Sequence, residues 1–91
     1  MKNVNLLLTR VEVVENRDCN GYLIRDENGL SSSRIEEIGT MLVNFDHVQY
    51  VTPHEFYDSN RKKLTVSHIV FATSGELDVK DSISHIKKML E

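Results

Sequence analysis

The chain predicts one α+β domain over residues 1–91, a four-stranded antiparallel sheet carrying two helices on one face in the order ββαββα. Three observations lead there. Runs rich in β-branched and aromatic residues are broken by polar turn chemistry, two other runs space apolar residues at helical intervals behind a capping residue, and the two halves share a pattern. At 91 residues the chain can enclose one hydrophobic core and no more.

Val4 to Val14 reads as the first strand, and the turn residues from Asn16 to Gly21 lead into Tyr22-Leu23-Ile24, the second strand of a hairpin. The apolar positions change parity between Leu6/Leu8 and Val11/Val13, which predicts a β-bulge near Thr9-Arg10. Ser33 and Glu36 form a capping-box pattern followed by Ile35, Ile38, Leu42 and Phe45, so a helix is expected over 33–45, with Gly39 inside it either as a tolerated defect or as a point of close packing.

A second hairpin follows, His47 to Tyr57 and Lys63 to Thr73, joined by the turn Asp58-Ser59-Asn60-Arg61. Pro53 lacks an amide donor and belongs on a sheet edge or at a bulge. Asp78 is the expected cap of a second helix over 78–90, whose stripe is Val79, Ile83, Ile86 and Leu90. Ile35-x-x-Ile38-x-x-Met41-Leu42 recurs as Ile83-x-x-Ile86-x-x-Met89-Leu90, and Thr9, Glu12 and Glu15 correspond to Thr52, Glu55 and Asp58. A duplicated ββα unit would explain both matches; so would the common demand of amphipathic helices for apolar residues at those intervals. Ile38 and Ile86 are the expected core residues of the two helices.

Composition narrows the function classes. The longest apolar run, Leu6-Leu7-Leu8, is far short of the roughly 20 residues a spanning helix needs, and the segment from Met1 to Asn5 lacks the apolar stretch of an export signal. A lone cysteine, Cys19, fits a reducing compartment, so a cytoplasmic protein is expected. Net charge is −3, with five Lys/Arg against eight Asp/Glu in residues 1–46 and six of each in residues 47–91. Such a balance opposes non-specific phosphate binding.

The candidate chemistry is sparse. His47, His54, His68, His85 and Cys19 show no short paired spacing of the kind structural zinc sites use. His54 and His68 could face each other across the second hairpin, but a site would need carboxylates such as Glu55 or Asp58 to turn in. No metal and no cofactor is therefore expected. Cys19 beside Asp18 is a poor nucleophile, Ser33 is assigned to a cap, and Glu12, Glu15, Glu55 and Asp58 read as solvated carboxylates rather than an acid/base pair, so no catalytic residue is assigned and an enzyme is not expected.

What remains is binding. The expected role is a small regulatory protein that binds a macromolecular partner stoichiometrically, as an inhibitor or adaptor, including of a defence system or a nucleic-acid enzyme. The expected surface is the second hairpin around Tyr57, Asp58, Arg61, Lys62 and Lys63, which joins an aromatic ring to the chain's only three-residue basic cluster. One alternative is a nucleic-acid module using that hairpin, where Tyr50, Phe56, Tyr57 and Phe71 would be stacking platforms instead of core residues. Another is a small enzyme or ligand-sensing domain with its site at a dimer interface. Self-pairing of an exposed edge predicts a homodimer.

Overall fold

The computed structural model describes residues 4–91. Within them β1 (Asn5–Glu15), β2 (Ser33–Asn44), β3 (Val48–Tyr57), β4 (Lys63–Phe71) and β5 (Glu76–Val79) form one antiparallel sheet in the order β2-β1-β5-β4-β3, followed by one helix, α1 (Ile83–Leu90). The four-stranded, two-helix ββαββα expectation is thus incorrect, and the duplicated ββα unit falls with it. The structure is mostly sheet.

The error lies at residues 33–45, of which 33–44 fold as β2 and Phe45 opens a 3-10 turn. Their register sets Val43 opposite Leu6 and Met41 opposite Leu8, so the period-2 residues go inward, and Val43 is only 3% exposed. Ile38 and Leu42, the expected helical stripe, stand 52% and 64% exposed. β1 is an interior strand whose backbone groups require a long partner. Tyr22 to Ile24 cannot supply one, and contribute only the isolated bridge between Leu23 and Arg17. A helix at 33–45 would have left that side of β1 unpaired.

The register slips between Arg10 and Val11, close to the expected bulge, but the extra residue is Ile38 on the partner strand, so β1 keeps its alternation and the bulge does not account for its parity change. Gly39 follows it with φ +154°, a conformation L side chains rarely adopt, which gives this glycine a role that the helical reading lacked. Cross-strand partners share a face of the sheet. Leu6, Leu8, Val43, Ile69 and Val79 lie on the face covered by Ile86 of α1 and form the main core. Val11 pairs with Asp78 and Val66 with His54 on the reverse face, yet both valines are at most 2% exposed. Burial thus changes faces along β1, and this is the origin of the parity change.

β2 and β3 are the two edges, yet only the 3-10 turn Phe45–His47 separates them. Four Cα steps reach about 15 Å, whereas the edges of a flat five-stranded sheet lie about 19 Å apart. The sheet must therefore coil. α1 packs against β3 beside this closure and sends Ile86 into the core. Pro53 sits on edge strand β3, where its missing donor costs no ladder bond.

α1 is shorter than the expected 78–90 because Asp78 and Val79 belong to β5 and the helix starts at Ile83. Its cap is Ser82, whose hydroxyl accepts the His85 amide at 3.1 Å. No helix among the described residues is long and apolar enough to cross a membrane.

Replacing the 3%-exposed Ile86 by alanine is expected to destabilise the fold by about 2 to 5 kcal/mol, while Ile38→Ala should change it by no more than about 0.5 kcal/mol. Urea denaturation of the two variants checks both, and a reversed order would contradict the assignment of 33–45 to a strand.

Candidate interaction surface at the hairpin tips

Three turns share one construction. In each, an aspartate carboxylate (Asp18, Asp26 or Asp58) accepts the amides two and four residues on, at 2.8 to 3.0 Å. Each aspartate carbonyl also accepts the amide three residues on, and that residue has positive φ: Gly21 at 84°, Gly29 at 77° and Arg61 at 61°. The first two turns are a true internal repeat, Arg17-Asp18-Cys19-Asn20-Gly21 and Arg25-Asp26-Glu27-Asn28-Gly29, and in both the arginine Nη1 donates to the glycine carbonyl. Its signal in the sequence is the repeated Arg-Asp-x-Asn-Gly, eight residues apart.

Arg61 is the exception that joins the two hairpins. A left-handed conformation costs a non-glycine residue roughly 1 to 2 kcal/mol, and glycine occupies the position in the other two turns. Its guanidinium donates to the carbonyls of Leu30 at 2.8 Å and Ser31 at 3.1 Å and pairs with the Asp26 carboxylate at 2.8 Å. The tip of the β3–β4 hairpin is thereby clamped to the loop between β1 and β2. The Leu30 amide above all, with the Asn28 amide and Arg61, holds the Asp26 carboxyl below its usual pKa.

The expected surface residues are found together, being neighbours in one turn. Tyr57 ends β3 half-exposed; Asp58 is occupied by the turn amides; Lys62 is exposed; Lys63 pairs with Glu55 at 3.3 Å. Arg61 is turned inward on Asp26. Sequence reasoning missed the other half of the surface, the loop residues Tyr22, Ile24 and Leu30, which stand 71%, 49% and 54% exposed. Of the four carboxylates weighed for acid/base work, Glu15 pairs with Arg17, Glu55 with Lys63, and Asp58 holds its turn.

A second cluster lies on the reverse face of the sheet. The rings of His54 and His68 do face each other, with centroids 6.3 Å apart. The carboxylates beside them come from β5 rather than from Glu55 or Asp58: His68 Nδ1 is 2.8 Å from Asp78 and Nε2 is 3.2 Å from Glu76, while His54 Nδ1 is 3.9 Å from Asp78. Both ring nitrogens of His68 are thus engaged. Among the described residues no group of three or more histidine, cysteine or acidic side chains is arranged to hold a metal. The cluster borders an open cleft of about 290 Å³ lined also by Arg10 and Glu12. The His68 side chain on β4 thus bonds two carboxylates of β5.

The Asp78 hydrogen bond, aided by Glu76 and opposed by partial burial, raises the His68 pKa. A raised folded-state pKa means that the contact stabilises fully below the unfolded value near 6.5, and that its contribution is lost as pH rises through the folded value. The stability gap between the native chain and His68→Gln is therefore expected to be widest near about pH 5.5 and to shrink towards about pH 8. Urea midpoints measured across that range check it; a gap independent of pH would show that the charged form of His68 is not what binds β5.

Comparison with protein-family models, curated proteins and solved structures finds no match to this chain.

Proposed function

We propose that the chain works by stoichiometric binding of a protein partner, through the composite surface at the hairpin tips. The observation that carries this reading is the Arg61 clamp, which holds two hairpin tips as one preorganised unit with Leu30 and Tyr57 both about half exposed beside it. Preorganisation lowers the ordering cost of association, and large apolar and aromatic side chains supply most interface energy. The exposed Lys62 and Lys63 would then act at the rim, on association rate and salt dependence.

Nucleic-acid binding has weaker support. Arg61, one of the three basic side chains of the cluster, is committed to Asp26, and Phe56 is partly buried against the His54 ring. Small-molecule chemistry in the His68 cleft has less still, because both imidazole nitrogens are already bonded to carboxylates.

The test is affinity capture from the native cell, followed by titration of the captured partner. Leu30→Ala combined with Tyr57→Ala, at unchanged melting temperature, is expected to weaken binding at least tenfold, or about 1.4 kcal/mol. Undiminished binding by that variant would remove the tips as the interface. Recovery of salt-sensitive RNA or DNA in place of a protein would favour the nucleic-acid reading.

A further inference from the structure

The two edges of the sheet are not equally guarded. β3 carries Pro53 and Glu55, has an irregular register between Val48 and Tyr50, and is backed by α1. β2 is bulged at Ile38, but from Gly39 to Asn44 it carries no charge, no proline and no further break in register. Exposed uncharged edges of this kind recruit another strand.

The direction of the backbone groups on that edge can be worked out. The Phe45 amide donates to the Val4 carbonyl at 2.8 Å, so Phe45 turns its backbone towards β1, and by alternation so do Val43 and Met41. The Thr9 carbonyl accepts from Lys80 and the Thr9 amide donates to Asp81, so Thr9 turns away from β2. Its register partner Thr40, and with it Leu42, must therefore point amides and carbonyls at the free edge, and Asn44 its amide, since the Asn44 carbonyl caps the 3-10 turn. Leu7 and Leu42 are cross-strand neighbours on the face opposite the core, 66% and 64% exposed.

We propose that β2 pairs with β2 of a second copy, antiparallel about a two-fold axis through Leu42, joining two five-stranded sheets into one of ten. Such an interface is self-complementary, as a two-fold requires. Leu42 exchanges both backbone bonds with its own counterpart, and the Asn44 amide of each copy donates to the Thr40 carbonyl of the other, the Asn44 carbonyl being engaged by the 3-10 turn that it caps. On the outer face the two exposed pairs merge into a row of four leucines, Leu7 and Leu42 of one copy followed by Leu42 and Leu7 of the next. No like charges meet within the uncharged stretch, and just beyond it the antiparallel register brings Glu37 of one copy near the level of His47 of the other. The interface is separate from the hairpin tips, so it stands or falls independently of the binding reading above.

A charge-exchange experiment tests it. Sedimentation equilibrium of the native chain should show dimers, whereas Leu42→Lys and Leu42→Asp should each associate at least tenfold more weakly, because like charges are then set side by side across the axis. An equimolar mixture of the two variants should recover dimers, now as heterodimers. A native chain that stays monomeric at about 100 μM, a variant that dimerises as well alone as the native chain does, or a mixture that stays monomeric would each overturn the proposal. Should either variant fail to fold, hydrogen exchange on the native chain decides. The Thr40, Leu42 and Asn44 amides should gain protection as concentration rises while those of Met41 and Val43 are protected throughout, and rapid exchange of Leu42 at the highest concentration would refute the pairing.

Discussion

β5 is only four residues long, yet it is the strand through which the β1–β2 and β3–β4 hairpins become one sheet. Its ladder to β1 consists of Arg10–Val79 and Val11–Asp78, and its ladder to β4 runs from Ser67–Val79 to Val70–Glu76. So short a seam needs reinforcement from the side chains. On the core face Val79 is wholly buried with Ile69 and Leu8; on the reverse face His68 holds Asp78 and Glu76. At its end, Lys80 and Asp81 are bonded to Thr9, and the Ser67 hydroxyl donates to the Asp81 carbonyl at 2.6 Å. These bonds place Ser82 where it caps α1, and so decide where Ile86 enters the core.

The coiling imposed by the short Phe45–His47 connection explains how so few residues bury apolar side chains on two faces. α1 and the main core occupy one face around Leu8 and Ile69. Val11 and Val66 are buried on the other, opposite Asp78 and His54. The surface features on which binding would depend lie at the periphery of this arrangement: the clamped tips at one place, and the unguarded β2 edge at another. The His68 cluster belongs to the seam itself, between β4 and β5.

Several elements were legible because their causes are local. Asp58-Ser59-Asn60-Arg61 makes a turn through bonds between an aspartate and amides within four residues, and that turn determines the register of β3 on β4. Pro53 on an edge and Ile86 in the core follow from a missing donor and from helical spacing. The parity change between Leu6/Leu8 and Val11/Val13 was visible, but it marks a change of buried face along β1 and not an extra residue in it. Of the candidate surface, Tyr57, Asp58, Lys62 and Lys63 were legible as neighbours in one turn, whereas Leu30 and Asp26 were not.

By itself, then, the sequence determined the turns, the β3–β4 hairpin, the amphipathic C-terminal helix and the absence of a long apolar span. Only the tertiary structure decided that Ser33–Asn44 is a strand, that Asp78 and Val79 join Glu76 and Leu77 in β5 instead of opening the helix, and that Arg61 faces Asp26 instead of solvent. The physical reason is the range of the interactions. Ile35, Ile38, Leu42 and Phe45 satisfy a helical period as readily as Met41 and Val43 satisfy a strand period, and the choice between them was made by β1, whose backbone groups had to be paired by residues about thirty positions away in the chain.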